Sequence, residues 1–152
     1  MREIGERAGV DAALIARYFG SKQGLYLATL EREPRTPLPG DLTHAIERML
    51  SRSEQHGIGP IPLAMVSPTH SDELRAQLRE IIGRRVVEPF AAALSEHGAP
   101  DAALRAEILV AIAIGISLTR ASGTLPALAQ APLRDVVGVL EGLIAALREQ
   151  PS

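Results

Sequence analysis

The 152-residue chain has the length of one domain, 46% of its residues are apolar, and sixteen basic against eighteen acidic side chains leave a net charge of −2. The lack of cysteine excludes disulfides, thiolate metal sites, iron–sulfur clusters and cysteine nucleophiles. The near-neutral balance gives no overall field to draw in a polyanion, and 3% aromatic residues argue against a stacking platform for single-stranded nucleic acid. The longest apolar run, 108–118, is about half the roughly 20 residues of a membrane span. Residues Met1-Arg2-Glu3-Ile4 lack the basic start and apolar core of a signal peptide. Composition therefore predicts a soluble, cytoplasmic protein with no membrane partner and no cofactor.

In chain order the apolar period is helical, and no stretch alternates over the length of a strand, so the fold reads as all-α. A short first helix over 1–8 carries Met1, Ile4 and Ala8 on one face and stops at Gly9-Val10. Asp11 is placed to cap a second helix over 12–19, with Leu14, Ile15, Tyr18 and Phe19 at its apolar positions. Gly20 ends it, and Ser21 caps a third helix from 22 to about 33. Pro34, Pro37, Pro39 and Gly40 make a linker that divides the chain into 1–33 and 41–150. A helix over 41–55 follows, with Leu42, Ala45, Ile46, Met49 and Leu50 at helical spacing. Two glycines and three prolines in 56–68 permit only a short helix around 63–66. Ser71 caps a long helix to about 96, with Leu74, Leu78, Ile81, Ile82 and Val86 inward and Pro89 kinking or dividing it. Pro100-Asp101 opens a helix to about 122, and 132–149 forms the last.

Residues 1–19 read as helix, tight glycine turn, helix. Two helices that cross steeply need a small residue where their backbones meet, which Gly5 supplies, and the turn needs a residue tolerant of positive φ, which Gly9 supplies. Ile4, Val10 and Ile15 then close the small core between them. Ala12, Ala13, Ala16 and Arg17 on the other face of the second helix can meet a major groove. Ser21 and Lys22 bring backbone N–H groups and a cation toward a phosphate.

The run Arg2-Glu3-Ile4-Gly5-Glu6-Arg7-Ala8-Gly9-Val10, followed by Leu14-Ile15-Ala16-Arg17-Tyr18-Phe19-Gly20-Ser21-Lys22, resembles the DNA-binding motif of TetR/AcrR-type transcriptional repressors. A weaker resemblance to the paired C-terminal helices of that family runs through 107–147, with Gly115, Arg120, Leu125 and Leu128. The resemblance implies an all-helical homodimeric repressor, released from operator DNA when a small molecule enters its C-terminal domain. By position it implies that Ala12, Ala13, Ala16 and Arg17 read bases or touch backbone and that Tyr18 and Lys22 contact phosphates. The family usually has Tyr where this chain has Ala16, which leaves Arg17 as the side chain able to make a bidentate contact to guanine, worth roughly 1–3 kcal/mol.

Members of that family carry another helix ahead of this motif. Glu3 has the look of the back half of a capping box whose Ser or Thr would precede Met1. The chain thus reads as N-terminally truncated, through a start codon taken too late or a genuine truncation, leaving Ile4, Ile15, Phe19 and Leu25 short of cover. The expectation is weak DNA binding by 1–33 while 41–150 folds and dimerises.

In the second segment, residues 104–119 are apolar nearly all round, and Leu133, Val136, Val137, Leu140, Leu143, Ile144 and Leu147 form a wide stripe with Gly138 and Gly142 permitting close approach. Two such helices per subunit suit an isologous four-helix interface, to which Ile112, Ile116, Val136, Leu140, Leu143 and Leu147 are assigned. An effector pocket is expected among the helices over 41–55, 71–96 and 104–122, with Met49, Met65 and Phe90 in its wall and Thr119 as a polar contact. His44, His56, His70 and His97 contain no i, i+4 metal pair, and neither Gly-x-Ser-x-Gly nor a phosphate loop occurs, so no enzyme is expected. Two readings remain: a ligand-responsive repressor, and a helical dimerisation module that has lost autonomous DNA binding.

Overall fold

A computed structural model describes residues 1–33, 41–68 and 71–148 of the chain. Its helices are α1 (Arg2–Ala8), α2 (Ala12–Phe19), α3 (Lys22–Arg32), α4 (Leu42–His56), α5 (Pro60–Val66), α6 (Asp72–Ile82), α7 (Glu88–Glu96), α8 (Ala102–Ser122), α9 (Pro126–Gln130) and α10 (Leu133–Arg148). A π-helical stretch, Gly83–Val87, joins α6 to α7, and no strand occurs among the described residues. The fold is all-α. The predicted linker residues Pro34, Pro37, Pro39 and Gly40, and also His70, lie outside the described residues.

Local chemistry accounts for most helix starts. The side chains of Asp11, Ser21, Asp41 and Ser71 accept hydrogen bonds from the N–H groups of Ala13, Gly24, Thr43 and Leu74, satisfying donors that the first turn leaves open. Helix α5 begins earlier than the sequence suggests, because Pro60 and Pro62 stand in its first turn, where proline's missing N–H costs nothing. The short α9 was not anticipated, and it too begins on a proline. The break expected at Pro89 takes the form of the π stretch. Proline has no N–H to continue the ladder and its ring crowds the carbonyl of Arg85, four residues back, so the wider turn absorbs the misfit there.

Two cores hold these helices together. The larger joins Leu42, Ala45, Ile46 and Leu50 of α4 to Phe90 and Leu94 of α7, Leu109, Val110, Ala113 and Ile114 of α8, and Val136, Val137, Leu140 and Ile144 of α10. The smaller joins Leu30 of α3 to Ile61 and Ala64 of α5 and to Leu78, Ile81 and Ile82 of α6. Leu30 is fully buried, a side chain whose burial stabilises by roughly 1.5–3 kcal/mol. The third helix of segment 1–33 is therefore packed into the body formed by 41–148, and the proline-rich division of the sequence is not a division in packing.

The apolar character of α8 reaches beyond 108–118: the helix has 21 residues and a mean hydropathy of 1.8 over its most apolar stretch, long and apolar enough to cross a membrane. α4, α7 and α9 pack against it, and it forms the centre of the larger core. α10 packs chiefly on α4. The six residues assigned to a dimer face consequently divide. Val136 and Leu140 are buried in the subunit's own core, Ile112, Ile116 and Leu147 are half-buried against it, and only Leu143 is exposed. Periodicity marks the stripe but does not say that α4 packs on it. Facing outward with Leu143 are Leu104 and Ile108 on α8 and Val139 on α10. A Cβ added at Gly115, Gly138 or Gly142 would meet nothing within 4 Å, so the close approach expected of the α10 glycines does not occur within the subunit.

Candidate nucleic-acid interface and cavity

The α1–α2 pair depends on two glycines. A Cβ at the buried Gly5 would lie 2.6 Å from the carbonyl oxygen of Val10 and 3.2 Å from the nitrogen of Ala12, so nothing larger fits where the helices meet. Gly9 ends α1 at φ 64°, the left-handed conformation that lets the chain reverse. The N–H of Val10 then donates to the carbonyl of Gly5 at 3.0 Å. Gly24 adds a contact the sequence reading missed: its Cβ position lies 2.1 Å from the carbonyl oxygen of Phe19. Its signal was an unexplained glycine in the first turn of a helix.

Ile15 is buried and Ile4 half-buried, as expected of a small core, but Val10 is 44% exposed and does not join it. Of the reading-face residues, Ala13, Ala16 and Arg17 are exposed, whereas Ala12 is half-buried because its backbone abuts Gly5. Tyr18 is 79% exposed, and Lys22 is exposed at the start of α3. Arg17 and Lys22 form no ion pair with any described residue. The cations of α1 are engaged instead, Arg2 with Glu6 and Arg7 with Glu3, each at 3.5 Å. Such exposed pairs contribute only tenths of a kcal/mol, but they leave the positive potential of this end to Arg17 and Lys22.

The larger core contains a cavity of about 110 Å³. Met49 of α4, Ile61 and Pro62 of α5, Val86 of the π stretch, Phe90 of α7 and Ile114 of α8 supply its apolar wall. Its polar lining is Ser53 and Ser117, whose hydroxyls lie 3.1 Å apart, together with Glu33, Arg52 and Arg85. Met49 and Phe90, two of the four expected pocket residues, line this cavity. Met65 lines a separate cavity of about 390 Å³, bordered by Arg75, Arg79 and Glu107. Thr119 lines neither: its hydroxyl donates back to the carbonyls of Gly115 and Ile116 on its own helix, at 2.7 and 3.1 Å. Periodicity could not tell which side of α8 Thr119 occupies.

The first cavity touches the end of segment 1–33. Glu33 caps the C-terminus of α3, its carboxylate accepts from Arg52 at 2.9 Å, and it sits close above the backbone of Gly59. Arg85 donates to the carbonyl of Glu31 at 2.7 Å and to that of Glu33, while Arg84 pairs with the Glu31 side chain at 2.8 Å. Three arginines from α4 and the π stretch therefore hold the last turn of α3. Glu33, Arg52 and Arg85 carry no sequence signature, since the contacts span 19 to 54 residues. No group of metal-ligating side chains occurs among the described residues.

Comparison with known proteins gives two family matches. One, to the model described as Tetracyclin repressor-like, C-terminal domain, covers residues 42–147, more than half of the chain. The other, to bacterial regulatory proteins of the tetR family, covers residues 1–29 and so contains α1, α2 and most of α3. No curated relative and no solved structure matches the chain. With a helix-turn-helix at one end and a helical body holding a cavity at the other, the chain belongs to the TetR family of bacterial transcriptional regulators.

Proposed function

We propose that the protein is a ligand-responsive repressor that binds operator DNA as a homodimer and leaves it when a small molecule occupies the 110 Å³ cavity. The observation that carries this reading is the exposed α2 face, where Ala13 and Ala16 leave room for the groove, and where Arg17, like Lys22 at the start of α3, is exposed with no ion-pair partner among the described residues. Arg17 makes the base contact, Tyr18 and Lys22 hold phosphates, and Ala12 sets the α1–α2 approach. The dimer forms through the outward faces of α8 and α10, where Leu104, Ile108, Val139 and Leu143 are exposed and Gly115, Gly138 and Gly142 leave room for a second helix. Leu143 is the residue shared with the face expected from sequence. Met49 and Phe90 contact the effector. The cavity of Met65 has no residue from 1–33 in its wall, which favours the first cavity as the effector site.

The test is enrichment of random-sequence duplexes on the purified protein. The expected result is a two-fold symmetric site, with Arg17→Ala relaxing base preference and Lys22→Ala weakening all duplexes alike while lowering the salt dependence by about one phosphate contact. The second reading, a helical dimerisation module without autonomous DNA binding, draws support from the thin packing of α1 on α2, where Val10 and Leu14 are 44% and 45% exposed. No enrichment from a protein that still dimerises selects that reading.

A further inference from the structure

We infer that the first cavity takes a compact apolar monocarboxylate, whose acid group competes with Glu33 and with the last carbonyls of α3 for Arg52 and Arg85. The inference rests on the reading of this cavity as the effector site and adds the chemistry of the effector and the way its binding is felt by α3. Size comes first. A cavity of about 110 Å³ lined by aliphatic and aromatic side chains suits a guest on the order of a benzene ring. Charge comes second. Among the lining residues are two cations, Arg52 and Arg85, against one anion, Glu33, so a single negative charge on the guest balances the set.

A third observation concerns Arg85 itself. Its Nε is buried and has no hydrogen-bond partner, although both terminal nitrogens are engaged by carbonyls of α3. A guanidinium donor left without an acceptor is uncommon inside proteins. A carboxylate in the cavity supplies the missing acceptor, and the planar fork of arginine suits a two-oxygen anion better than a lone carbonyl. Arg52 is 43% exposed and its partner Glu33 is 19% exposed, so that pair stands at the rim, where a second carboxylate can displace the first.

The consequence for α3 follows from the same bonds. Arg52 and Arg85 reach the Glu33 side chain and the Glu31 and Glu33 carbonyls, which form the last turn of the helix that follows the DNA-reading α2. A guest that takes these donors releases that turn. A neutral guest of the same shape fills the apolar wall and leaves the donors where they are. Arg84 and Arg85, consecutive residues of the π stretch ahead of Pro89, both reach this helix end.

Titration calorimetry of the full chain with benzoate and with benzyl alcohol, at matched ionic strength, tests this. Benzoate is expected to bind about tenfold or more tightly than the alcohol, with an advantage that shrinks as salt rises. Glu33→Gln is expected to strengthen benzoate several-fold, and Arg52→Met to weaken it about tenfold, with the alcohol unchanged in both. Arg85→Met is expected to do the same as Arg52→Met. Because it also removes a tie to α3, the two rim variants carry the test if it folds poorly. Benzoate is further expected to speed amide exchange in residues 31–33 where the alcohol does not. Equal or tighter binding of the alcohol overturns the anion assignment and leaves the effector site standing. Unchanged exchange at 31–33 under saturating benzoate overturns the competition. Binding of neither probe overturns both the inference and the effector-site reading beneath it.

Discussion

Removing the Arg120 side chain should cost the helical body formed by 41–148 several ties at once. Arg120 is 12% exposed and ties α8 to two other elements. Nε donates to the Glu54 carboxylate of α4 at 3.0 Å, Nη2 donates to the same oxygen, and Nη1 donates to the carbonyls of Leu128, in α9, and Ala131, just after it. Replacing it with methionine keeps the stem's packing and removes every donor. The two half-buried carbonyls then lose their Arg120 donor, at roughly 1 kcal/mol each, toward the low end for a buried acceptor because neither residue is fully buried. The ion pair adds no more than about 1 kcal/mol, since Glu54 is 39% exposed and therefore screened. Arg120→Met is thus expected to lose about 3 kcal/mol, measured as the shift of the urea midpoint at constant slope. In a scan this corresponds to roughly 6–12 °C for a chain of this size. Glu54→Gln alone should lose less than about 1 kcal/mol, and the double variant should be no worse than Arg120→Met. If Glu54→Gln costs as much as Arg120→Met, the carbonyl tethers contribute nothing and the reasoning is refuted.

Gly5→Ala places a methyl 2.6 Å from the Val10 carbonyl and should part α1 from α2 at a cost of about 1–3 kcal/mol, seen as faster amide exchange across residues 2–8 with little change in the main unfolding transition. Val139→Glu with Leu143→Glu should convert a dimer to a folded monomer by sedimentation, because both side chains face outward, Val139 being 80% exposed. Asp41 is held below the usual carboxylate range, first by its hydrogen bond to the His44 ring at 2.7 Å and further by the Thr43 N–H and Arg148. A carboxyl lowered in the folded state stabilises above its unfolded pKa and loses that contribution as pH falls through the lowered value. Stability should therefore drop on acidification below about pH 4, and Asp41→Asn, which preserves the helix cap, should flatten that slope; an unchanged slope would show the pair is not felt.

The helices were legible from residue types because their causes are local. Asp11, Ser21 and Ser71 cap through atoms two or three residues away, Gly9 reverses the chain through its own φ, and the 3.6-residue period of α4 and α10 needs no partner to be read. The tetR-type motif was legible for the same reason, since Gly5, Gly9 and the Tyr18-Phe19-Gly20-Ser21-Lys22 junction act within one turn-sized stretch. The all-α class of the fold and the place of the helix-turn-helix in the chain were thus legible in the sequence.

What the sequence could not decide was which apolar face meets which. Val136 and Leu140 carry the same signal as Leu143, yet α4 covers the first two and leaves the third open. Leu30 is followed by a proline-rich boundary in sequence but is buried against α5 and α6. The cavity is the sharpest case. Met49 and Phe90 were recognisable as bulky core residues, while Glu33, Arg52 and Arg85 looked like ordinary surface charges until the tertiary fold brought them together across as many as 52 residues. Hydrophobic burial is non-directional and sets only that a stripe will be covered; the ridges, turns and one proline of the folded chain decide by what.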